Sequence, residues 1–249
     1  MRKKLIAANW KMYKTPNQGK EFMSAFLPHA WGHTRDEIVI CPPFVCIPAA
    51  VEAAQGSGIA VGGQDLHWEQ EGAFTGAISA HMLLAAGCTH VIIGHSERRQ
   101  YFGETDDTVN RKLKRALSAG LKPIVCVGEV IQEREAGLTD EVLRRQCGIA
   151  FRDISGGEAI PIVVAYEPVW AIGTGKTATP ELANAAHAVI RAEAAKAFGE
   201  GVATQMRVLY GGSVKPENAK ALMSQVEIDG ALVGGASLDP GSFAKIVKY

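Results

Sequence analysis

The sequence predicts a closed barrel of eight parallel β-strands wrapped by outer helices, a (β/α)8 barrel. Eight short apolar runs rich in β-branched residues recur through 249 residues, at intervals of about 30. None of them alternates polar with apolar residues, as expected of strands buried on both faces. Stretches of helical period lie between the runs, so strand and helix alternate along the chain, the pattern of a parallel sheet. Eight such units in this length fit a closed barrel better than an open doubly wound sheet.

Taken in order, the predicted strands are residues 5–8, 38–41, 59–62, 90–93, 123–127, 162–165, 207–210 and 230–233. Among the helices, Asp106-Asp107 opens one whose Val109, Leu113, Ala116 and Leu117 fall at i, i+4, i+7 and i+8. Gly120 stops it where a left-handed residue is wanted. Thr179-Pro180 opens another with an N-cap followed by proline at the first helical position, and Leu182, Ala185, Ala186 and Val189 are expected to share its buried face. No composition break or linker divides the chain, so residues 1–249 are expected to form one domain.

Composition narrows the function. The chain is 47% hydrophobic and 21% charged with a formal net charge of zero, which argues against nucleic acid or an anionic membrane as partner. The basic run Arg111-Lys112-Lys114-Arg115 reads as a solvated helix face. Five cysteines, an odd number without a C-x-x-C pair, point to reduced thiols, with Cys126 a small core residue. The apolar part of the N-terminus is too short for a signal segment, and no run approaches the ~20 residues of a spanning helix. A soluble cytoplasmic protein is the expectation.

In such a barrel the chemistry sits at the carboxyl ends of the strands, so the polar residues directly after each run are the candidates. Asn9-Trp10-Lys11 follows the first run. Lys11 is a flexible cation suited to an anionic or carbonyl oxygen, although alone it reads as a surface lysine. Gly94-His95-Ser96-Glu97-Arg98-Arg99 follows the fourth, where a buried His95 is placed to donate to a substrate oxygen, although alone it reads as a satisfied structural histidine. His90 and His95 bracket that strand and should not converge, so no metal is expected.

Ala165-Tyr166-Glu167-Pro168-Val169-Trp170-Ala171-Ile172-Gly173-Thr174-Gly175-Lys176-Thr177 ends the sixth run and leads away from it. The proline biases Glu167 to extended backbone. Val169, Trp170 and Ile172 favour its desolvation, and burial raises a carboxyl pKa toward what a general base needs. The alternative is a carboxylate paired with a nearby Lys or Arg. Residues 173–177 do not make a P-loop, because the first glycine of that motif would fall on Trp170. Apolar residues between a proline and two glycines read instead as a lid. Tyr210-Gly211-Gly212-Ser213 and Val233-Gly234-Gly235-Ala236-Ser237 follow the last two runs. Paired glycines let backbone N–H groups approach an anion, and these two loops form the common phosphate site of barrels. A phosphate-bearing small ligand is expected.

These segments together resemble the triosephosphate isomerase family. Asn9-Trp10-Lys11-Met12, His95-Ser96-Glu97-Arg98-Arg99, the block from Ala165 to Lys176, Tyr210-Gly211-Gly212-Ser213 and Val233-Gly234-Gly235-Ala236 match in order over nearly the full chain. The resemblance implies a TIM barrel that interconverts dihydroxyacetone phosphate and D-glyceraldehyde 3-phosphate with no cofactor and no metal. It implies Glu167 as the base that moves the carbon-bound proton, His95 as the electrophile, and Lys11 and Asn9 as stabilisers of negative charge on the substrate. It further implies Glu97 as a supporting residue and Gly173, Ser213, Gly234 and Gly235 as phosphate ligands through backbone groups. The resemblance also implies a histidine kept neutral by a helix N-terminus and a closing loop.

Residues 64–79, from Gln64 to Ser79, form a long stretch without helix or strand period that carries Leu66, Trp68, Phe74 and Ile78. Such loops are usually functional, and apolar side chains on one suggest docking into a partner. The resemblance implies a homodimer in which this loop, with Thr75, reaches the neighbouring active site near Asn9 and Lys11. Many members of that family carry an acidic residue where this chain has Ala77, which puts in question an intersubunit ion pair with Arg98. Two rival functions stay open. A Schiff-base aldolase would need Lys11 as nucleophile, and a non-catalytic barrel would show no turnover.

Overall fold

A computed structural model of the chain describes residues 2–172 and 177–249. Its centre is a closed barrel of β1 (Leu5–Asn9), β2 (Glu37–Cys41), β3 (Ala60–Gly63), β4 (His90–Ile93), β5 (Lys122–Val127), β6 (Val163–Tyr166), β7 (Arg207–Tyr210) and β8 (Gly230–Val233). Each strand pairs in parallel with its neighbour in sequence, and β8 closes on β1. The predicted runs agree with these strands to within one residue at each end. Leu5 and Ala7 belong to an inner apolar cluster with Val39, Cys41, Ile92, Ile124, Cys126 and Leu209, whereas Ile6 and Ala8 join the cluster beneath the helices. Both sides of β1 are therefore dry, which explains the unbroken apolar runs.

The outer layer comprises α1 (Pro16–Ala30), α2 (Ile47–Ala54), α3 (Ala80–Ala85), α4 (Ser96–Phe102), α5 (Asp106–Ala119), α6 (Ile131–Glu135), α7 (Thr139–Ala150), α8 (Gly156–Ala159), α9 (Pro180–Phe198), α10 (Glu200–Ala203), α11 (Pro216–Met223) and α12 (Pro240–Val247). α5 starts at Thr105, whose hydroxyl accepts from the Thr108 amide, and stops at Gly120 with φ 86°. Its Val109, Leu113 and Ala116 are buried, as their spacing predicts. The buried face of α9 differs from expectation. Ala183, Ala186, His187, Ile190 and Ala194 point inward, and Leu182 is 42% exposed. That helix is so rich in alanine that several phases look equally apolar, and only packing on the barrel selects one. The choice places His187 in the core, where burial pushes its pKa down to about 4 and keeps it neutral.

The basic run of α5 is not a solvated face. Lys112 is buried, with its ammonium 2.6 Å from Asp65 and paired also with Glu104. Arg98 completes the cluster at 2.9 Å from Asp65 and 2.7 Å from Glu104. Arg111 stacks over the Trp68 ring at 4.1 Å, and the Arg115 guanidinium donates to the Trp68 carbonyl at 2.8 Å. Lys114 pairs outward with Asp153, and Arg111 makes an exposed pair with Glu69 at 3.4 Å. Most of this run thus holds down residues 64–79. Arg98 is satisfied within its own chain, so it does not depend on an acidic residue at the position of Ala77.

The 64–79 segment also closes on itself. The His67 amide donates to the Ile78 carbonyl at 2.8 Å, and the His67 ring lies between Trp68 and Phe74 at 4.3 and 4.2 Å. Leu66 is buried and Ile78 packs on the barrel core, so neither is free to dock as expected. A long loop without a strand ladder must be anchored by its own apolar groups. Phe74 remains 43% exposed.

The five cysteines are buried free thiols. Burial pushes Cys88 up to about 12 and the other four upward as well. Among the described residues no helix is long and apolar enough to cross a membrane. Breaking the buried charge cluster should be costly, because Glu104 would keep a desolvated charge with less compensation. Lys112→Met is expected to lower unfolding free energy by about 3–5 kcal/mol in urea melts and to speed proteolysis within residues 64–79; wild-type stability would show the cluster to be inert.

Candidate active site

The carboxyl ends of the strands open onto a cavity of about 360 Å³. Asn9, Lys11, His95, Glu167, Ser213, Gly234 and Gly235 all line it, with Trp10, Ile172 and Leu232 supplying apolar wall. Glu97 stands behind Lys11 rather than in the lining. Gly173, together with residues 174–176 of the expected lid, lies outside the described residues.

Glu167 follows β6 directly and is only 1% exposed. Its amide donates to the Val127 carbonyl at 2.7 Å, which continues the sheet register one residue past the strand. Two neighbouring loops make room for it by lacking side chains. A Cβ on Gly128 would fall 1.7 Å from the Glu167 carbonyl oxygen, and one on Gly211 would fall 2.9 Å from the Glu167 Cγ. Gln146 of α7 holds Gly128 at both its N–H (2.7 Å) and its carbonyl (3.2 Å). Of the first glycine pair, the Gly211 amide already donates to the Tyr166 carbonyl at 2.7 Å, so it is not free for an anion. A Cβ on Gly212 would meet the Tyr210 hydroxyl at 2.3 Å. Gly211 thus makes room for Glu167 and does not present its amide to an anion, and Gly212 leaves room for the Tyr210 hydroxyl. At the second pair, Gly235 opens a short 3-10 turn, Gly235–Leu238.

The Glu167 carboxylate reaches across the barrel mouth to the start of α4. One oxygen accepts the Ser96 N–H at 2.9 Å, and the other is 2.9 Å from His95 Nε2. His95 caps α4, with Nδ1 accepting the Glu97 N–H at 3.2 Å. That bond leaves the proton of a neutral ring on Nε2, facing the carboxylate and the cavity. Burial pushes the Glu167 carboxyl up, but the His95 imidazole, the Ser96 amide and Lys11 outweigh it and hold it below its ordinary value. The sequence suggested a raised value; the partners supplied by α4 reverse the sign. Burial likewise opposes a charged His95, yet the carboxylates of Glu167 and Glu97 carry its pKa above the usual histidine value.

Lys11 sits in left-handed backbone at φ 53°. Its amide donates to Asn9 Oδ1 at 3.0 Å, and its carbonyl accepts from Gln64 Nε2 at 2.9 Å. Its ammonium is paired with Glu97.

Sequence reading missed several contributors. Glu129 is fully buried and accepts from the Tyr166 hydroxyl at 3.1 Å and from the Trp170 indole at 2.8 Å. It ties the residue before Glu167 to an aromatic of the lid segment. A carboxylate placed just after the fifth run was findable by the rule used for the other strands. Gln64 and Gln146 carry no such signal, because their roles come from contacts remote in sequence. Lys215 lines the cavity as a second cation, and among the described residues its ammonium has no carboxylate at ion-pair distance.

A family model described as triosephosphate isomerase matches residues 4–249. The chain is 55% identical to the triosephosphate isomerase of Solibacter usitatus over the full length of both. Identity to the triosephosphate isomerases of Citrifermentans bemidjiense and Moorella thermoacetica is 54% and 56%, over all of this chain and 99% of each relative.

The close fit at Gly211 is testable. Gly211→Ala should push the Glu167 side chain off its seat and lower kcat at least tenfold with a modest change in melting temperature, since a misplacement near 1 Å costs on the order of 10² in rate. Unaltered kcat in steady-state assays would mean that the contact tolerates a methyl group.

Proposed function

This chain belongs to the triosephosphate isomerase family and interconverts D-glyceraldehyde 3-phosphate and dihydroxyacetone phosphate, and from that premise we propose how its residues divide the chemistry. The observation that carries the reading is the approach of Glu167 to His95 inside a cavity rimmed by Lys11 and the Gly234-Gly235 turn. Glu167 takes a proton from the carbon beside the substrate carbonyl. The C–H electron pair becomes the new carbon–carbon double bond, and the carbonyl oxygen takes the charge. His95 Nε2–H donates to that oxygen, and Lys11 and Asn9 stabilise the enediolate. His95 carries the hydroxyl proton of the adjacent carbon over to the former carbonyl oxygen, and Glu167 returns the carbon-bound proton to the former carbonyl carbon as the new carbonyl forms, so no cofactor or metal is required.

Each donor preorganised at a developing oxyanion contributes about 10²–10³ in rate, and a positioned base about 10²–10⁴. The resting contacts of Glu167 with Ser96 and His95 must yield to substrate. A substrate oxygen interposed between Glu167 and His95 takes away the main influence raising His95. Burial, Lys11 and the amide at the α4 N-terminus then favour neutral imidazole against Glu97 alone. Backbone groups at Ser213, Gly234, Gly235 and Gly173 grip the phosphate, which supplies binding energy remote from the reacting carbons. Closure of the lid excludes water and guards the enediolate from phosphate elimination.

The working form is a single-domain protomer in a cytoplasmic homodimer, acting in glycolysis and gluconeogenesis. Exposed Phe74 beside Thr75 supports docking of the 64–79 loop into a second copy. So does the concentration of large exposed apolar residues on the first four units, with Met12 at 95%, Val45 at 69% and Phe102 at 68%. The five buried thiols support a reducing compartment.

Glu167→Gln should lower kcat by at least about 10² while leaving binding of a phosphate analogue nearly intact, because the base acts in the transition state; a coupled isomerase assay with analogue titration checks it. Comparable loss of both would mark Glu167 as structural. Phe74→Asp should yield monomers of poor activity in sedimentation and kinetics, and a fully active monomer would refute the shared-site arrangement.

A further inference from the structure

Two non-glycine residues of the loop after β1 carry left-handed backbone, Lys11 at φ 53° and Lys14 at φ 76°. Such a conformation persists only where the surroundings impose it. For Lys11 these are Asn9 and Gln64. Lys14 does not line the active-site cavity, yet it is tied down at four points. Its ammonium donates to the Leu238 carbonyl at 2.9 Å and lies 5.4 and 5.1 Å from the ring centres of Trp10 and Phe22. Its own carbonyl accepts from Cys46 Sγ at 3.2 Å.

Leu238 ends the 3-10 turn that Gly235 begins. Inside that turn the Ser237 amide and hydroxyl both donate to the Gly234 carbonyl, at 2.8 and 2.7 Å. At the other end Gly234 lies against Lys11, since a Cβ there would stand 3.3 Å from Lys11 Cε. The loops after the first and last strands therefore meet twice, with Lys11 on Gly234 and Lys14 on Leu238. A four-residue 3-10 turn has poor hydrogen-bond geometry and little stability of its own. An ammonium at its carbonyl end, held over two aromatic rings, fixes it from behind.

We propose that Lys14 is a positioning residue that keeps the Gly234-Gly235 turn in register with Lys11. The inference rests on the phosphate role assigned to that turn above. Lys14 touches no reacting atom and acts only on the phosphate end of the site. Its loss should weaken the grip on phosphate and spare the proton transfers.

The test compares Lys14→Gly with Lys14→Arg. Glycine adopts φ 76° without strain, so it removes the ammonium at least risk to folding; Lys14→Gln replaces it if that variant does not fold. In Lys14→Gly, KM for glyceraldehyde 3-phosphate and the inhibition constant of inorganic phosphate should rise together, by roughly five- to tenfold, with kcat within about twofold. Turnover of phosphate-free D-glyceraldehyde, measured beside wild type, should not change, and Lys14→Arg should recover most of the lost affinity. Unchanged KM and phosphate inhibition in the folded variant would overturn the proposal. Equal loss of kcat on both substrates would also overturn it, marking a purely structural residue. A wild type that phosphate does not inhibit would instead sink the phosphate assignment itself, and the inference with it.

Discussion

The site depends on a carboxylate held dry at the end of a barrel strand by partners from another strand's loop. Glu167 is buried, and a buried carboxylate is expensive unless its oxygens are met by donors. The Ser96 amide and the His95 ring meet them. The same contacts fix both members of the proposed proton relay relative to each other, so one interaction answers a stability problem and a catalytic one. Because these partners stabilise the charged form, Glu167 rests ionised and ready to accept a proton. A substrate that separates it from His95 also returns both groups toward values set by burial.

Much of the scaffold around that contact consists of missing atoms. Gly128 and Gly211 pack against Glu167 from two sides, where any side chain would strike its backbone or its Cγ. Gln146 then pins Gly128, and Glu129 pins the tyrosine beside Glu167. Placement of the proposed base is thus shared among the loops after β5, β6 and β7. Strands supply the rigid frame, and each loop has only a few residues in which to err.

A second theme is charge used to shape loops. Lys112, Arg98 and Glu104 form a compensated cluster with Asp65 of residues 64–79, and Arg111 and Arg115 clamp Trp68 from outside. A loop without regular hydrogen bonds has little local stability, so it borrows order from these buried pairs and from its own aromatic stack. The outcome is a firm platform that leaves Phe74 facing outward.

Some of this was legible in the chain alone. Continuous apolar runs set the eight strands, because strands covered on both sides tolerate nothing else. The rule that chemistry follows barrel strands then singled out Asn9, Lys11, His95, Glu167, Ser213, Gly234 and Gly235, all of which share one cavity. The rest required the closed barrel. The inward face of alanine-rich α9, the burial of Lys112 and the sign of the Glu167 shift each depend on what lies opposite in space. So do the partners Gln64, Glu129 and Gln146. Periodicity is a local property that a sequence displays directly, whereas desolvation and charge pairing are set by neighbours tens of residues away and exist only once the ring of strands has closed.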